Sequence, residues 1–111
     1  MKQRFSDEVI TSILDQSSIY TCACPAQVCK AIMDQRILYK YQEGCIDRDG
    51  TDRAVHQSIA TSVARTHAEL ESCLEHILLL EGWDMEHYIM PESLQQRMLR
   101  VTEEQLNADY H

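Results

Sequence analysis

Three cysteines lie within eight residues near the start of the chain, and this clustering is the sequence feature most suggestive of chemistry. Cys22, Cys24 and Cys29 belong to the stretch YTCACPAQVC at residues 20–29. Thiolates, with imidazole as a borderline partner, suit zinc, copper(I) or an iron–sulfur cluster. The C-x-C-x4-C spacing matches neither the paired C-x2-C of zinc ribbons nor the ferredoxin spacings. Three interpretations therefore stay open: soft-metal ligands, a redox switch, or small buried packing residues.

The redox interpretation centres on Cys24, which directly precedes Pro25. Proline is favoured in the first turn of a helix, so the sequence predicts that Cys24 is the N-cap residue. The partial positive charge at a helix N-terminus favours a thiolate there. Cys22 or Cys29 would then be the resolving thiol, whereas Cys45, at the other end of the predicted hairpin, is interpreted as a packing residue.

The elements that must position these thiols are predicted to be helices. Ser6 is a suitable N-cap for a first helix, and Pro25 begins a second that spans about residues 24–43. A third helix spans about residues 52–81 and ends at Gly82, and a last helix begins at Pro91. The apolar positions assigned to the core are Val9, Ile10, Ile13 and Leu14, then Val28, Ala31, Ile32, Leu38 and Tyr41, and finally Leu94, Met98, Val101 and Leu106.

The third helix carries a heptad-like apolar seam, with a second apolar row beside it. The sequence thus predicts an all-α fold, a small up-and-down bundle built on a long antiparallel hairpin with shorter terminal helices, in a single domain of residues 1–111. Because the third helix is long for so small a domain, we expect a homodimer packed along the long helices. The seam comprises Ile59, Val63, Thr66, Leu70, Cys73, Ile77 and Leu80, and the row comprises Ala60, His67 and Leu74.

Folding the predicted hairpin brings a fourth cysteine towards the cluster. If the two helices are matched outward from Glu43 and Asp52, Cys29 lies opposite His67, and Cys24 lies opposite the turn that ends at Cys73. The sequence therefore predicts a tetrahedral metal site formed by Cys22, Cys24, Cys29 and Cys73, with His67 as an alternative ligand or as a residue that supports the ligands. For His67, a hydrogen-bonded core histidine is the favoured alternative.

Composition and charge exclude several classes of function. The chain has 111 residues and a net charge of −8, and such an acidic surface repels phosphate backbones, so direct nucleic-acid binding is not expected. The longest apolar run, ILLL at residues 77–80, is too short to span a membrane. The first residues lack the apolar core of a secretion signal, and five cysteines do not make a complete disulfide set, so we expect a cytoplasmic protein.

No motif of a known enzyme class occurs, and no catalytic residue is assigned. The segment GWDMEHYIM contains Trp83, Met85, Tyr88 and Met90, residue types that recur in protein interfaces. This aromatic segment is a predicted partner-binding site, with an end cap of the core as the alternative. Two functions result: a non-enzymatic helical protein that binds a soft metal or senses redox state, or a metal-free adaptor that dimerises and binds a protein partner.

Overall fold

The computed structural model describes residues 1–20, 23–45 and 50–109, and four helices form most of these ranges. The helices are α1 (Asp7–Ser17), α2 (Cys24–Gly44), α3 (Gly50–Glu81) and α4 (Glu92–Asp109). No β-strand occurs in the three ranges, and a single bridge pairs Asp84 with Ile89. The predicted all-α class is confirmed, and no described helix is both long and apolar enough to cross a membrane.

The ends of the helices follow the local signals in the sequence. The Ser6 hydroxyl accepts a hydrogen bond from the Val9 backbone N–H at 3.2 Å, which confirms Ser6 as the N-cap of α1. Gly82 ends α3 with φ of 80°. The Gly82 N–H donates to the Leu79 carbonyl and the Trp83 N–H donates to the Leu78 carbonyl, and these are the two hydrogen bonds of a Schellman motif. A residue with a side chain is strained at this φ, so the helix ends where glycine allows it.

The core lies where α1 packs against the N-terminal half of α2 and the C-terminal half of α3. Ile10 and Ile13 from α1 and Ile32 from α2 are fully buried there, as the sequence predicts. The turn after α3 and the first residues of α4 close one end of this core. The buried cluster comprises Phe5, Ile10, Ile13, Cys29, Ile32, Leu74, Leu78, Trp83, Met90 and Leu94.

The buried face of α3 differs from the predicted seam. The buried face is shifted towards the flanking row, in which His67 and Leu74 are fully buried. Of the seam, Val63 is buried and Leu70 and Ile77 are partly buried against the core, while Thr66, Cys73 and Leu80 are exposed. The helix is rotated so that the charged Glu71 also faces inward. Periodicity cannot anticipate such a rotation, because a carboxylate is assigned to the surface unless its partner is known.

The loop end of the α2–α3 hairpin extends beyond the core. Leu38 and Tyr41, predicted to be core residues, are exposed, because α1 begins at Asp7 beside Arg36 and reaches no further along α2. The Cα radius of gyration is 17.8 Å, against about 13 Å for a compact chain of this length. Val101 and Leu106, predicted to be core positions of the last helix, are also exposed.

Candidate functional site

The cysteines predicted to share one site have different environments. Cys22 lies outside the described residues. Cys24 is exposed and is the first residue of α2, where Ala23 and not Cys24 is the N-cap. Cys73 is exposed on α3. Cys29 is fully buried in the core, and this burial raises the pKa of its thiol to about 12, with Arg36 opposing weakly. A buried thiol of this kind stays protonated, which disfavours both metal ligation and disulfide exchange.

The register of the hairpin also differs from the prediction, which places Cys29 opposite His67. Instead, Arg36 donates from Nε to His67 Nε2 at 3.0 Å, and Gln42 contacts His56 at 2.8 Å. Arg36 follows Cys29 by seven residues, so Cys29 lies about 10 Å further along the helix axis. The contact nearest the loop joins Gln42 to His56. The prediction instead paired Glu43 with Asp52, but α3 begins at Gly50, and its first residues lie between the loop and His56.

His67, Glu71 and Arg36 form a buried polar cluster between α2 and α3. The side chains of Arg36 and Glu71 are 9% and 2% exposed, and His67 is fully buried. Arg36 Nη2 lies 3.2 Å from Glu71 Oε2, and its Nε donates to His67. Because arginine can only donate, His67 Nε2 must be the acceptor, so the ring proton resides on Nδ1. That atom lies 3.5 Å from Glu71 Oε1 and has no shorter hydrogen bond among the described residues.

This cluster binds the backbone that leads into α1. Glu71 Oε2 accepts the N–H groups of Arg4 and Phe5 at 2.8 and 3.1 Å. Arg36 Nη2 donates to the Phe5 carbonyl at 2.6 Å, and Nη1 pairs with Asp7 Oδ1 at 2.6 Å. The cluster therefore fixes the segment Arg4–Asp7 and, through it, the start of α1. Arg36 and Glu71 make these contacts, whereas His67 Nδ1 has no hydrogen-bond partner among the described residues.

Burial sets the protonation state of His67. Removal from water lowers the pKa of the imidazole, and the nearby Arg36 charge lowers it further, while Glu71 opposes both. A neutral ring is also what the hydrogen bond from Arg36 requires. The favoured interpretation of His67 as a hydrogen-bonded core histidine agrees with this geometry, in which its Nε2 lone pair is already used.

The aromatic segment packs against the core. Trp83 and Met90 are buried, and Met85 and Tyr88 are partly buried against the same cluster. The Tyr88 ring meets Phe5 edge-on with centroids 5.6 Å apart, and Gln16 bridges the turn through the Tyr88 carbonyl and the Met90 N–H. This placement matches the alternative of an end cap, and a partner-binding role for the segment stays a prediction.

The part of the hairpin beyond the core buries almost none of its described side chains. We call it the arm and define it as residues 37–45 and 50–62. Among these residues only Gln42 is buried, and it bonds to His56. The arm exposes a group of large apolar side chains at its surface. They are Ile37, Leu38, Tyr41 and Val55.

A groove of about 370 Å³ lies at the base of the arm, beside Asp7 at the start of α1. Met33 and Ile37 provide its apolar part, and Lys40 flanks it. Asp7 and Arg36, which bind each other, form the wall nearest the core. The groove therefore marks the position that a further helix would occupy if α1 had a continuation along the arm.

No family model, no curated protein sequence and no solved structure gives a significant match to the chain. Within residues 1–20, 23–45 and 50–109, no group of three or more His, Cys, Asp or Glu side chains is arranged to hold a metal ion. The assignment of function therefore depends on the geometry of the chain itself. The two candidate features are the dispersed cysteines and the arm.

Proposed function

We propose that this chain is a non-enzymatic helical interaction protein that acts by binding a protein helix through its arm. The observation that carries this proposal is the absence of buried apolar side chains in the described part of the arm, where Gln42 is the single buried residue. Two helices packed only on each other cannot enclose a core, so a hairpin of this kind gains stability from a further layer.

The exposed side chains of the arm support the same proposal. Ile37 and Tyr41 are each 67% exposed and lie one helical turn apart, so they occupy one face of α2. The groove beneath them supplies a concave end to this face. An apolar row with a flanking charge, here Lys40, is the pattern recognised by an amphipathic helix of a partner.

The predictions about the partner, nucleic-acid contact, location and catalysis are part of this proposal. The partner would be a second copy, which gives the predicted homodimer, or a helix of another protein. The acidic charge supports a function without direct nucleic-acid contact, and the cysteine usage supports a cytoplasmic location. A role without catalysis fits a polar cluster in which Arg36 and Glu71 hold the N-terminal segment.

The soft-metal or redox function is the second candidate, and it rests on the sequence spacing of Cys22 and Cys24. The residues described do not fit a four-ligand site, because Cys29 and His67 are buried in separate environments while Cys24 and Cys73 are exposed. Elemental analysis of protein purified anaerobically without chelator tests this candidate. Stoichiometric zinc, copper or iron that is lost in Cys22→Ser or Cys24→Ser would replace the interaction proposal with a metal function.

Site-specific photo-crosslinking tests the interaction proposal. A photoreactive phenylalanine analogue at Ile37 is compared with the same analogue at Thr11, an exposed position on α1. Irradiation in the native cells should give one defined adduct from position 37, identified by mass spectrometry as a second copy or another protein. Equal labelling from both positions, or no adduct from position 37, would contradict an interaction surface on the arm.

A further inference from the structure

We infer that His67 operates a proton-driven latch, in which protonation of its imidazole releases the N-terminal residues 4–6 from the core while the four helices stay folded. This inference goes beyond the proposed function, because it assigns a conformational change to the polar cluster and does not involve the arm. It rests on the donor and acceptor roles within the cluster, on the atoms that hold residues 4–6, and on how little of these residues is buried.

The hydrogen bond between Arg36 and His67 exists only while the imidazole is neutral. Arg36 Nε donates to His67 Nε2 at 3.0 Å, and a guanidinium has no acceptor atom. A protonated imidazole carries hydrogen on both ring nitrogens, so Nε2 would become a second donor at the same contact. Two positively charged donors repel each other at this distance, and burial leaves little water to screen them. Protonation of His67 therefore drives Arg36 out of its present position.

The charged groups that act on His67 come from every element packed around it. Arg36 faces the ring from α2, and the amino group of Met1 adds positive charge from the N-terminal segment. Glu71 faces it from α3, with Oε1 3.5 Å from Nδ1, and Asp7 of α1 acts through its ion pair with Arg36. Burial lowers the pKa of His67, and the two positive charges lower it further against the opposing effect of Glu71. The released state, in which Arg36 and the N-terminal segment have moved away, thus binds the proton more tightly.

Arg36 makes the contacts that hold residues 4–6 against α2. Its Nη2 donates to the Phe5 carbonyl at 2.6 Å, and its Nη1 pairs with Asp7 Oδ1 at 2.6 Å. Movement of Arg36 breaks both contacts. Glu71 keeps a counterion after this movement, because the protonated His67 lies beside it on the same helix. The proton therefore replaces Arg36 as the partner of the buried carboxylate and loosens the segment that Arg36 held.

Residues 4–6 can leave the core without unfolding the helices. Phe5 is the one buried side chain among them, and its ring packs edge-on against Tyr88. The first helix is held separately by Ile10 and Ile13, which are fully buried. Release therefore withdraws one aromatic ring from the core and uncovers the side of Tyr88 that it contacts. The lost burial of Phe5 opposes release, so the latch stays closed while His67 is neutral.

The response to pH has a fixed sign and an upper limit. The released state binds one proton more than the latched state, so a decrease in pH favours release. A single proton changes the ratio of released to latched molecules by at most about tenfold per pH unit. The change begins below about pH 6.5, the ordinary pKa of histidine, and ends below the lowered pKa of His67 in the latched state.

Fluorine NMR of the full chain tests the latch, because Phe5 is its single phenylalanine and Trp83 its single tryptophan. Biosynthetic para-fluorophenylalanine gives one resonance for Phe5, while Trp83 fluorescence and far-UV circular dichroism report on the core and the helices. Between about pH 7.5 and 4.5, the wild-type fluorine signal should pass from that of a buried ring to that of a solvated ring, with both core signals unchanged. His67→Gln, whose amide oxygen can still accept from Arg36, should keep the buried signal.

His76→Gln is the matched control, because His76 is exposed on the same helix and this variant should release Phe5 as wild type does. The ring-nitrogen signals of His67 in isotope-labelled wild type need no substitution, and their titration should share its midpoint with the fluorine change. A fluorine signal that stays buried down to about pH 4.5 would overturn the inference. So would a release of Phe5 that occurs only when the Trp83 signal is also lost, or one that occurs at the wild-type pH in folded His67→Gln.

Discussion

At the scale of single residues, Glu71 has the greatest structural consequence. Its carboxylate is buried, receives two backbone N–H groups from the N-terminal segment, and faces the Arg36 guanidinium. The sequence predicts the core position of His67 because that residue belongs to an apolar row. It gives no signal for Arg36, which is 35 residues before Glu71, although a charge inside the apolar row of α3 could have indicated a buried partner.

Replacement of Glu71 by Gln should destabilise the fold strongly. The amide keeps the volume but leaves the buried Arg36 charge with the exposed Asp7 as its one counterion among the described residues, and the expected loss is about 2–4 kcal/mol in the free energy of unfolding. Urea denaturation measures this loss. Glu75→Gln is the matched control, because Glu75 pairs with Arg4 at the surface, where the pair contributes less than about 1 kcal/mol. Equal effects of the two variants would contradict the buried role of Glu71.

Stability should fall as the pH decreases through the ordinary pKa of histidine. The pKa of His67 is lower in the folded than in the unfolded chain, so below about 6.5 the unfolded chain binds more protons at this residue and is favoured. The contribution of His67 to the slope cannot exceed about 1.4 kcal/mol per pH unit. Urea titrations between about pH 7.5 and 5.5 should give a smaller slope for His67→Gln than for wild type. A control variant of the exposed His76, His76→Gln, should keep the wild-type slope.

The three described cysteines of the predicted site should differ in reactivity. Because burial raises the pKa of Cys29 to about 12, its thiol should react with iodoacetamide only after unfolding. Cys24 and Cys73 are exposed and should be labelled in the folded protein. Peptide mass spectrometry with and without denaturant measures this difference. Rapid labelling of Cys29 in the native state would contradict the packing described for the core.

At the scale of elements, the helix ends at Ser6 and Gly82 were predictable, whereas the N-cap of α2 is Ala23 instead of the predicted Cys24, and the orientation of the helices was not predictable. Ser6 and Gly82 each act through their own backbone and side chain, so three or four residues suffice to define an end. The rotation of α3 and the register of the hairpin depend on groups far apart in the chain, such as Arg36 and His67. For the same reason the sequence grouped Cys29 with His67, although they lie at different levels.

Two glycine substitutions separate the role of backbone conformation from that of space. Gly82 has φ of 80° and Gly44 is helical, and an added Cβ would meet no atom within 4 Å at either position. Gly82→Ala should therefore cost about 1 kcal/mol through backbone strain alone. Gly44→Ala should be neutral or stabilise by up to about 1 kcal/mol through helix propensity. Thermal unfolding of both variants measures the difference, and equal shifts would contradict the assigned end of α3.

At the scale of the whole molecule, the chain divides into an acidic core region and an arm whose described residues carry two basic and two acidic side chains. The sequence predicts a homodimer from the length of the third helix, and this stays a prediction. The structure shows exposed apolar side chains on the part of the hairpin that α1 does not cover. The core is closed by α1 and by the turn at Trp83, whereas the described arm has no such cover. An association surface on the arm is therefore the central claim.

Hydrogen exchange measured as a function of protein concentration tests this claim most directly. In the dimer, amides in residues 37–44 and 50–62 should exchange slowly, and dilution below the dissociation constant should accelerate them at least tenfold because the exposed hairpin opens easily. Amides around Ile10, Ile32 and Leu74 should be unaffected by the same dilution. Arm amides whose exchange does not depend on concentration, or a dependence confined to the core, would contradict a dimer formed through the arm.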